Sequence, residues 1–328
     1  MAHASPPEVS VVIPAYNNRP LLERFLPPLL AALCRYQAAT EIVVADDAST
    51  DGSAAFLREA YPEITVVRSE RNLGFPGACN LGAAQARYAA ILFLNSDVEV
   101  DQNFLAPLAE ALTAPEVFAA APAVFDMGAA GEETPRCESL ASVRFARGVF
   151  EIEPLWNEPL PQEPQCVLYA PAAALLVWKQ GFEQLGGFDT LFAPYSWEDV
   201  DLCYRAWRTG WRVMVTPDSR VKHYRSSTVL RVFQAGRRAV VTHRNQLLMV
   251  WKNVSDPALL VANVLHLPVH LAAALVRGRW WYLSALVAAL GRLPMALRRR
   301  RGGQKRVLSD REALRLASRP SPLARQRR

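Results

Sequence analysis

The stretch Ile91-Leu92-Phe93-Leu94-Asn95-Ser96-Asp97-Val98-Glu99 contains the feature on which the fold depends. Its apolar half has the length and composition of a central strand buried in an α/β sheet. The run then changes abruptly to an amide, a hydroxyl and carboxylates. Ligands of such sheets collect beyond the carboxyl ends of the strands, so Asp97 is a candidate metal-binding carboxylate. The alternative is an acid that only makes a turn after the strand.

Three similar units precede this strand. Apolar strands are predicted at residues 9–13, 41–45 and 65–68, and each leads through a polar loop into a helical stretch. Strands that alternate with helices of about ten residues imply right-handed βαβ crossovers. The predicted fold class is therefore α/β, with a mainly parallel, Rossmann-like sheet flanked by helices.

The periodicity changes after a helix at 103–112 and a strand at 117–121. Residues 126–165 contain five prolines, and we expect a long irregular segment that covers a site or accepts a partner. Beyond it we expect a strand at 172–178, a helix from Trp197 to Thr209, and a strand at 212–215 that leads to His223.

Composition favours a folded chain with a large core. The protein has 328 residues, of which 51% are hydrophobic and 21% charged, which argues against disorder. The formal charge is +6, but residues 292–328 hold thirteen Lys and Arg residues against two acids. The positive charge therefore belongs to the C-terminal end and says little about the chemistry of the core.

The cysteines and the N-terminus favour a cytoplasmic location. Five widely spaced cysteines, without a CxxC pair, are typical of a reducing compartment. The apolar run at 9–13 is too short for a signal peptide.

The C-terminal third has a different character. Residues 257–276 carry no formal charge, yet Asn263, His266, His270 and Arg277 follow at helical spacing on one face. This pattern favours amphipathic helices at a membrane interface over a membrane span. Together with the aromatic run 280–282 and the arginines at 298–301, it predicts peripheral contact with anionic lipid. The alternative is a pair of helices packed on the globular domain, with a solvated tail.

We therefore divide the chain into a catalytic domain at 1–235, a helical and membrane-associating region at 236–300, and a basic tail at 301–328. A nucleic-acid partner is not expected.

Polar side chains follow several predicted strands at one edge of the sheet. The loops carry Tyr16-Asn17, Asp46-Asp47, Arg71-Asn72 and Asn95-Ser96-Asp97. These acids would repel one another unless a divalent metal, a nucleobase N–H or ribose hydroxyls lay between them. A dinucleotide-binding enzyme would need glycines after the first strand, and Pro14-Ala15-Tyr16-Asn17 contains none.

Six motifs in order resemble those of family 2 glycosyltransferases of the GT-A fold, in particular rhamnosyltransferase-like and galactofuranosyltransferase-like enzymes. The resemblance covers about residues 9–225. The motifs are VVIPAYN at 11–17, VADDASTDG at 44–52, RNLGF at 71–75 with Asn80, NSD at 95–97, GGFD at 186–189 and WEDVD at 197–201.

The resemblance implies a pocket for a nucleoside diphosphate sugar, with a UDP- or dTDP-sugar expected. Asp46 matches the acid that holds the nucleoside, and Asp47 is its neighbour. The other donor-binding candidates are Pro14, Tyr16, Arg71, Asn72, Asn80, Asn95 and Ser96. Alternatively, Asp46 and Asp47 form a turn and cap the next helix, Asn80 satisfies a loop, and Arg71 faces solvent.

The resemblance also implies Mn²⁺ or Mg²⁺ as cofactor. Asp97 matches the last acid of the family's D-x-D metal motif, whereas Asn95 replaces the first. A single protein carboxylate would bind metal weakly until the donor diphosphate added oxygen ligands. His223 is the expected further ligand, by similarity to galactofuranosyltransferase-like relatives, and imidazole would favour Mn²⁺.

Asp199 matches the family's general base, which takes the proton of the acceptor hydroxyl during an inverting displacement. Glu198 and Asp201 are candidates for binding acceptor hydroxyls, and Trp197 for stacking on a sugar ring. The alternative is that these acids only favour the dipole of the helix that they begin.

The sequence thus predicts an inverting, metal-dependent glycosyltransferase at the cytoplasmic face of the membrane, acting on a lipid-linked or polysaccharide acceptor in cell-surface glycan synthesis. Two rival functions are a sugar nucleotidyltransferase and a catalytically silent membrane scaffold.

Overall fold

The structure, a computed structural model, describes residues 5–127, 133–155, 158–224, 234–301 and 306–317. Its strands are β1 (Val9–Ala15), β2 (Thr40–Asp46), β3 (Thr65–Arg68), β4 (Ala90–Leu94), β5 (Val98–Val100), β6 (Val117–Met127), β7 (Glu133–Cys137), β8 (Ala141–Ala146), β9 (Val149–Pro154), β10 (Gln165–Cys166), β11 (Ala174–Trp178) and β12 (Arg212–His223).

The helices lie on both sides of the sheet and extend beyond it at the C-terminal end. They are α1 (Arg19–Leu33), α2 (Ser53–Ala60), α3 (Gly74–Ala83), α4 (Leu105–Leu112), α5 (Lys179–Gln184), α6 (Glu198–Arg208), α7 (Ala235–Asn253), α8 (Pro257–Val276), α9 (Trp281–Arg301) and α10 (Asp310–Ala317), with a 3₁₀ turn at Thr190–Phe192.

Within the described residues, the main sheet has ten strands. Eight of them lie in the order β10-β12-β6-β11-β4-β1-β2-β3, while β5 pairs with β12 and β7 pairs with β6. The pairs β4–β1, β1–β2 and β2–β3 are parallel, as predicted from the repeated strand-helix units. Strand β11 lies antiparallel between β4 and β6, so the complete sheet is mixed. The predicted α/β class is confirmed, and β4 occupies the centre.

Strands β1 and β4 are buried because helices cover both faces of the sheet. Small residues let α3 approach β1 closely. A Cβ atom added to Gly82 would lie 2.5 Å from a methyl carbon of Val12, so only glycine fits there without displacing the strand. The close packing of α3 on β1 supports the loops that follow the strands at the carboxyl edge of the sheet.

The prediction of a long irregular segment at 126–165 was wrong. It contains β7, β8 and β9, and β8 and β9 form a separate antiparallel hairpin. Its turn is Arg147-Gly148, with φ of 49° and 77°, as a two-residue hairpin turn of type I′ requires. The prolines did not exclude strands, because Pro154 stands at the end of β9. Residues 128–132 and 156–157 of that segment lie outside the described residues.

The predicted basic tail contains a folded helix, α10, which packs against the domain. Asp310 at its start is buried and forms an ion pair with Arg208 of α6. It also accepts a hydrogen bond of 2.5 Å from the hydroxyl of Tyr204. Residues 310–317 are therefore part of the domain and not a solvated tail. Residues 302–305 and 318–328 lie outside the described part.

Helix α8 turns its polar face towards the protein. Asn263 accepts a hydrogen bond from the indole N–H of Trp251 at 2.9 Å and donates to the carbonyl oxygen of Gly148 at 2.7 Å. The opposite face is apolar and open, with Val264 65% exposed and Val269 60% exposed. Among the described helices, α8 alone is long and apolar enough to cross a membrane.

Candidate active site

Three loops meet at the carboxyl edge of the parallel strands and are hydrogen-bonded to one another. Nδ2 of Asn18, after β1, donates to Oγ of Ser96 after β4 at 2.7 Å. The backbone N–H of Asn17 donates to Oγ of Ser49 after β2 at 2.9 Å. The parallel register places Ala15 beside Asp46, so these loops leave the sheet at one level. The fold thus assembles the polar loops into one site.

Asp46 lies buried at the end of β2. Its Oδ1 accepts a hydrogen bond from the N–H of Ser49 at 2.9 Å, which forms the turn given as the structural alternative. Its Oδ2 is buried without a hydrogen-bond partner, and Nε of Arg68 lies 3.6 Å away. One oxygen therefore shapes the loop and the other remains suited to a nucleoside N–H or hydroxyl. Arg68 was not predicted, because it stands inside a strand.

Asp47 has a structural role, contrary to its assignment as a donor ligand. Its two oxygens accept hydrogen bonds from the N–H groups of Leu73 and Gly74 at 2.7 and 2.9 Å. Burial raises the pKa of this carboxyl, while the hydrogen bonds from Leu73 and Ser69 oppose that rise. Asp47 therefore anchors the start of α3.

Asn80 likewise binds the protein itself, as the alternative interpretation proposed. Its side chain donates to the carbonyl oxygen of Phe188 at 2.7 Å and accepts from the N–H of Phe188 at 2.9 Å. A Cβ at Gly187 would lie 2.7 Å from Oδ1 of Asn80. Asn80 thus holds the GGFD segment against α3.

The other donor candidates lie around the same loops. Arg71 and Asn72 are exposed, and Pro14 and Tyr16 are half-buried. Oδ1 of Asn95 is buried without a hydrogen-bond partner. Ser96 is buried and accepts the bond from Asn18 described above.

Asp97 and His223 are brought together by strand pairing. Strand β5 runs antiparallel to β12 and pairs Val98 with His223. As a result, Nε2 of His223 lies 3.2 Å from Oδ1 of Asp97. Nδ1 on the other side of the ring lies 3.2 Å from Oε2 of Glu138. The imidazole is therefore held between two carboxylates, one of which, Glu138, the sequence analysis missed.

The charges around His223 control its protonation. Burial lowers the pKa of the imidazole, but the neighbouring carboxylates of Asp97 and Glu138 outweigh burial and raise it to about 10. Without another cation, the protonated ring is thus the stable form between these acids.

The donor set fits the metal implied by the resemblance. Nε2 of His223 is buried without an aligned hydrogen-bond partner, beside the carboxylate of Asp97. Glu138 accepts from the other ring nitrogen, as second-layer carboxylates do for metal-bound histidines. No group of three metal-ligating side chains exists among the described residues. Asp97 and His223 would therefore hold Mn²⁺ or Mg²⁺ together with oxygens of the donor.

Asp199 lies at the start of α6, beside the beginning of β11. Its Oδ1 accepts from the N–H of Val200 at 2.8 Å, and Oδ2 lies 3.4 Å from the N–H of Ala172. Because β11 is the neighbour of β4, with Ala174 paired to Leu94, Asp199 reaches the edge that carries Asp97. Burial raises the pKa of its carboxyl, which makes the carboxylate a stronger proton acceptor.

Glu198 and Trp197 are more enclosed than expected for acceptor-binding side chains. Trp197 is 7% exposed, which leaves little of the indole surface free to stack on a sugar. Glu198 is also buried, and its Oε2 has no hydrogen-bond partner. Burial, followed by the charge of Asp199, raises the pKa of Glu198 well above its usual range. Glu198 is thus favoured in its neutral form, whereas Asp199 is the acid that can act as a base.

Asp201, which the sequence predicted to bind acceptor hydroxyls, is bound instead by groups of the protein itself. Its side chain is fully buried, and its oxygens accept from Nζ of Lys252 at 2.5 Å, Nδ2 of Asn253 at 2.7 Å and Nε of Arg205 at 2.8 Å. Arg205 and Lys252 lower the pKa of this carboxyl against the effect of burial. Asp201 joins α6 to α7 and cannot reach an acceptor.

The loop before Asp199 has an unusual backbone. Ser196 and Trp197 have φ of 73° and 77°, a region that side-chain-bearing residues rarely adopt. Asn245 of α7, which the sequence analysis missed, donates from Nδ2 to the carbonyl oxygen of Ser196 at 2.8 Å. On the other side, the N–H of Phe75 donates to the carbonyl oxygen of Pro194 at 2.8 Å. The loop is therefore fixed from two directions.

Comparison with known proteins agrees with this architecture. Solved structures show the same fold, including GalNAc-T7 with UDP, GalNAc and Mn²⁺ (TM-score 0.60, 20% identity, covering 76% of this chain and 48% of that chain). A second is the mannosyltransferase PcManGT from Pyrobaculum calidifontis with GDP-Man and Mn²⁺ (TM-score 0.53, 19% identity, covering 88% and 87%). The protein thus has the GT-A fold of these glycosyltransferases.

Residues 10–158 match the model of "Glycosyl transferase family 2". A similar curated protein is the N-acetylglucosaminyl-diphospho-decaprenol L-rhamnosyltransferase of Mycobacterium tuberculosis, 28% identical in an alignment of 243 residues that covers 67% of this chain and 77% of the relative. Residues 10–158 are therefore similar to family 2 glycosyltransferases, and the predicted resemblance is confirmed.

Proposed function

We propose that the protein transfers a sugar, with inversion, from a nucleoside diphosphate sugar to a hydroxyl of a lipid-linked acceptor at the cytoplasmic face of the membrane. The observation that carries this proposal is the meeting, at one sheet edge, of the Asp97–His223 pair with Asp199. A leaving diphosphate needs charge neutralisation, and an attacking hydroxyl needs a base.

The chain supplies the base and the orientation. Asp199 would accept the proton of the acceptor hydroxyl as its oxygen bonds to the anomeric carbon and the bond from that carbon to the diphosphate breaks. The N–H groups of Val200 and Ala172 orient the carboxylate. Mn²⁺ or Mg²⁺ held by Asp97 and His223 would neutralise the charge on the leaving diphosphate.

The relatives suggest the substrates. The name of the Mycobacterium tuberculosis relative states transfer of L-rhamnose to N-acetylglucosaminyl-diphospho-decaprenol. By that similarity we propose a deoxyhexose donor, as a dTDP- or UDP-sugar, and an acceptor linked through diphosphate to a polyprenyl lipid.

The orientation of α8 supports a membrane location. A soluble amphipathic helix turns its apolar face towards the core, whereas α8 binds the domain through Asn263 and His270 and exposes the opposite face. Lipid would cover that face. We therefore propose that α8 lies against the cytoplasmic membrane surface.

The first experiment is a donor screen. Purified protein is incubated with UDP-, dTDP- and GDP-sugars, with and without Mn²⁺, while thermal shift and slow donor hydrolysis are measured. We expect one donor to stabilise the protein and to be hydrolysed only with metal.

The second experiment concerns the base. Asp199→Asn should abolish transfer, because the amide cannot take the proton, yet preserve stabilisation by the nucleotide. The matched control is Asp218→Asn, which changes an exposed acid in β12 and should leave transfer unchanged. Normal turnover by Asp199→Asn would exclude the proposed mechanism.

A further inference from the structure

A second cavity lies away from the catalytic edge, between the β8–β9 hairpin and the C-terminal helices. It has a volume of about 530 Å³, enough for a small polar group with part of an attached chain. Its lining includes Arg144, Arg147, Glu151, Arg277, Arg279 and Trp281.

The hairpin wall of the cavity is electrically balanced. Glu151 pairs with Arg144 at 3.1 Å and with Arg147 at 2.7 Å, and Glu153 lies 3.7 Å from Arg144. These two arginines lower the pKa of Glu151 against the effect of burial. The hairpin therefore holds its own charges in place and leaves little for a ligand.

The helical wall is not balanced. Arg277 and Arg279 are exposed, and neither forms an ion pair or a side-chain hydrogen bond within the described part of the chain. They flank Gly278, whose φ of 65° ends α8. The N–H of Arg279 donates to the carbonyl oxygen of Ala274 at 2.8 Å, which is the closing bond of a Schellman turn. The turn thus fixes two free cations beside the cavity.

The remaining wall is aromatic. Trp281 packs against His243, with ring centroids 4.6 Å apart, and Tyr282 lies 6.3 Å from His270. Burial lowers the pKa of His243, so this wall adds no cation at neutral pH. Tryptophan and tyrosine suit the boundary between headgroups and acyl chains.

The cavity is next to the apolar face described above. Val276 is 88% exposed and Trp280 66% exposed, immediately before and after the arginine pair. A membrane that covers the apolar face of α8 would bring its phosphates to the level of Arg277 and Arg279. Arginine binds phosphate through two parallel N–H groups, which makes it well suited to this role.

We propose that this cavity binds the phosphate of an anionic membrane lipid headgroup. Arg277 and Arg279 hold the phosphate, and Trp281 and Tyr282 contact the part of the lipid next to it. The inference rests on the membrane location included in the proposed function.

The test is co-sedimentation with vesicles of phosphatidylcholine alone or of phosphatidylcholine containing phosphatidylglycerol. The native protein should bind the anionic vesicles at least about tenfold more tightly. Arg277→Glu with Arg279→Glu should remove this preference but retain binding to phosphatidylcholine. The control, Arg35→Glu with Arg58→Glu, makes the same charge change at exposed positions of α1's end and α2 and should keep the preference.

A second variant separates a built site from diffuse attraction. Ala273→Phe narrows the cavity without changing charge and should also reduce the preference about tenfold, with the thermal midpoint recorded to show that it is folded. If Ala273→Phe retains the full preference, or if the double arginine variant does, the cavity is not the site.

Free inorganic phosphate is the other ligand that offers a phosphate group to Arg277 and Arg279. Inorganic phosphate, added at the concentration of the lipid headgroups, should leave vesicle binding unchanged. Displacement by it would overturn the assignment to a lipid.

Donor hydrolysis without vesicles separates this inference from the proposed reaction. The double arginine variant should hydrolyse the nucleotide sugar at the native rate. If neither the native protein nor the variants hydrolysed the donor, the proposed reaction would be overturned. The vesicle experiment would then still decide whether the cavity binds lipid.

Discussion

Nδ2 of Asn245 donates hydrogen bonds to the carbonyl oxygens of Phe192, Tyr195 and Ser196, at 2.7, 2.9 and 2.8 Å. Asn245 is fully buried in α7, whereas the carbonyls belong to the loop before the proposed base. The positive φ of Ser196 costs of order 1–3 kcal/mol and persists only when surrounding groups hold it. Helix α7 is thus part of the support for Asp199.

We predict that Asn245→Ala lowers kcat by about ten- to a hundredfold, because a displaced base loses its alignment with the acceptor. The KM for the donor should stay near the native value, since the donor loops after β1, β2 and β4 are bound to each other and not to Asn245. Steady-state kinetics with varied donor and acceptor separate the two constants.

Gln246→Ala is the matched control for that variant. It removes a hydrogen bond of 2.8 Å from the same helix to the carbonyl oxygen of Phe150, in β9. Gln246→Ala should lose less stability than Asn245→Ala, because it removes one hydrogen bond and not three, and it should keep the native kcat. Equal kcat values in the two variants would show that α7 does not position the base.

Glu138→Gln should weaken Mn²⁺ binding by about 10- to 100-fold, because the neutral amide orients and polarises His223 less well. Calorimetric titration of Mn²⁺ in the presence of the nucleoside diphosphate measures this affinity without relying on turnover. Asp97→Ala with His223→Ala should lose the metal almost completely and raise the metal concentration needed for transfer. Glu153→Gln, at an exposed acid of β9, is the control, and a Glu138→Gln titration identical to it would refute the positioning role.

Asp201→Asn should destabilise the protein without changing the KM for the acceptor. It leaves Lys252 and Arg205 without their shared carboxylate, a change that costs about 3–5 kcal/mol for buried pairs. The second bond of Lys252, to Asp189 at 2.8 Å, should keep the loss near the lower value. Urea unfolding measures the change, and a raised acceptor KM in the folded variant would restore Asp201 to the acceptor site.

Glu198→Gln should stabilise the protein at pH 8 but not at pH 4. The folded protein raises the pKa of Glu198 through burial and the charge of Asp199, while the unfolded value is about 4.3. Below that value the acid is protonated in both states. As pH rises through the raised pKa, the native protein must bury a charge and loses stability that the glutamine variant keeps. Thermal midpoints across this range test the sign, and parallel curves would contradict it.

Much of the fold could be predicted from local patterns. The apolar runs of β1, β2 and β4 and the helices between them have periods that the sequence displays directly. The hairpin at Arg147-Gly148 was missed because its turn residues are less distinctive than Asn-Gly, and prolines surrounded it. The number of prolines was therefore a poor guide to the secondary structure of residues 126–165.

The site was predictable in residue type and less so in role. Asp47, Asn80 and Asp201 have the chemistry of ligands but bind Gly74, Phe188 and Lys252 of the protein itself. Which donor a buried carboxylate meets depends on contacts distant in sequence. Glu138 and Asn245 were therefore not predicted. Each lies dozens of residues from the group that it contacts, His223 for Glu138 and Ser196 for Asn245.

By itself, the sequence determined that β4 is a buried strand followed by Asn95-Ser96-Asp97, because a short apolar run that ends abruptly in polar residues suits a central strand. It also determined that α8 has a polar and an apolar face. Only the tertiary structure decided that Asp97 meets His223, since the register of β5 on β12 sets that pair. Only the tertiary structure, too, turned the polar face of α8 inward, where Asn263 satisfies Trp251 and Gly148. With the polar face inward, the valines opposite remain exposed, because a helix cannot turn both faces towards the same domain.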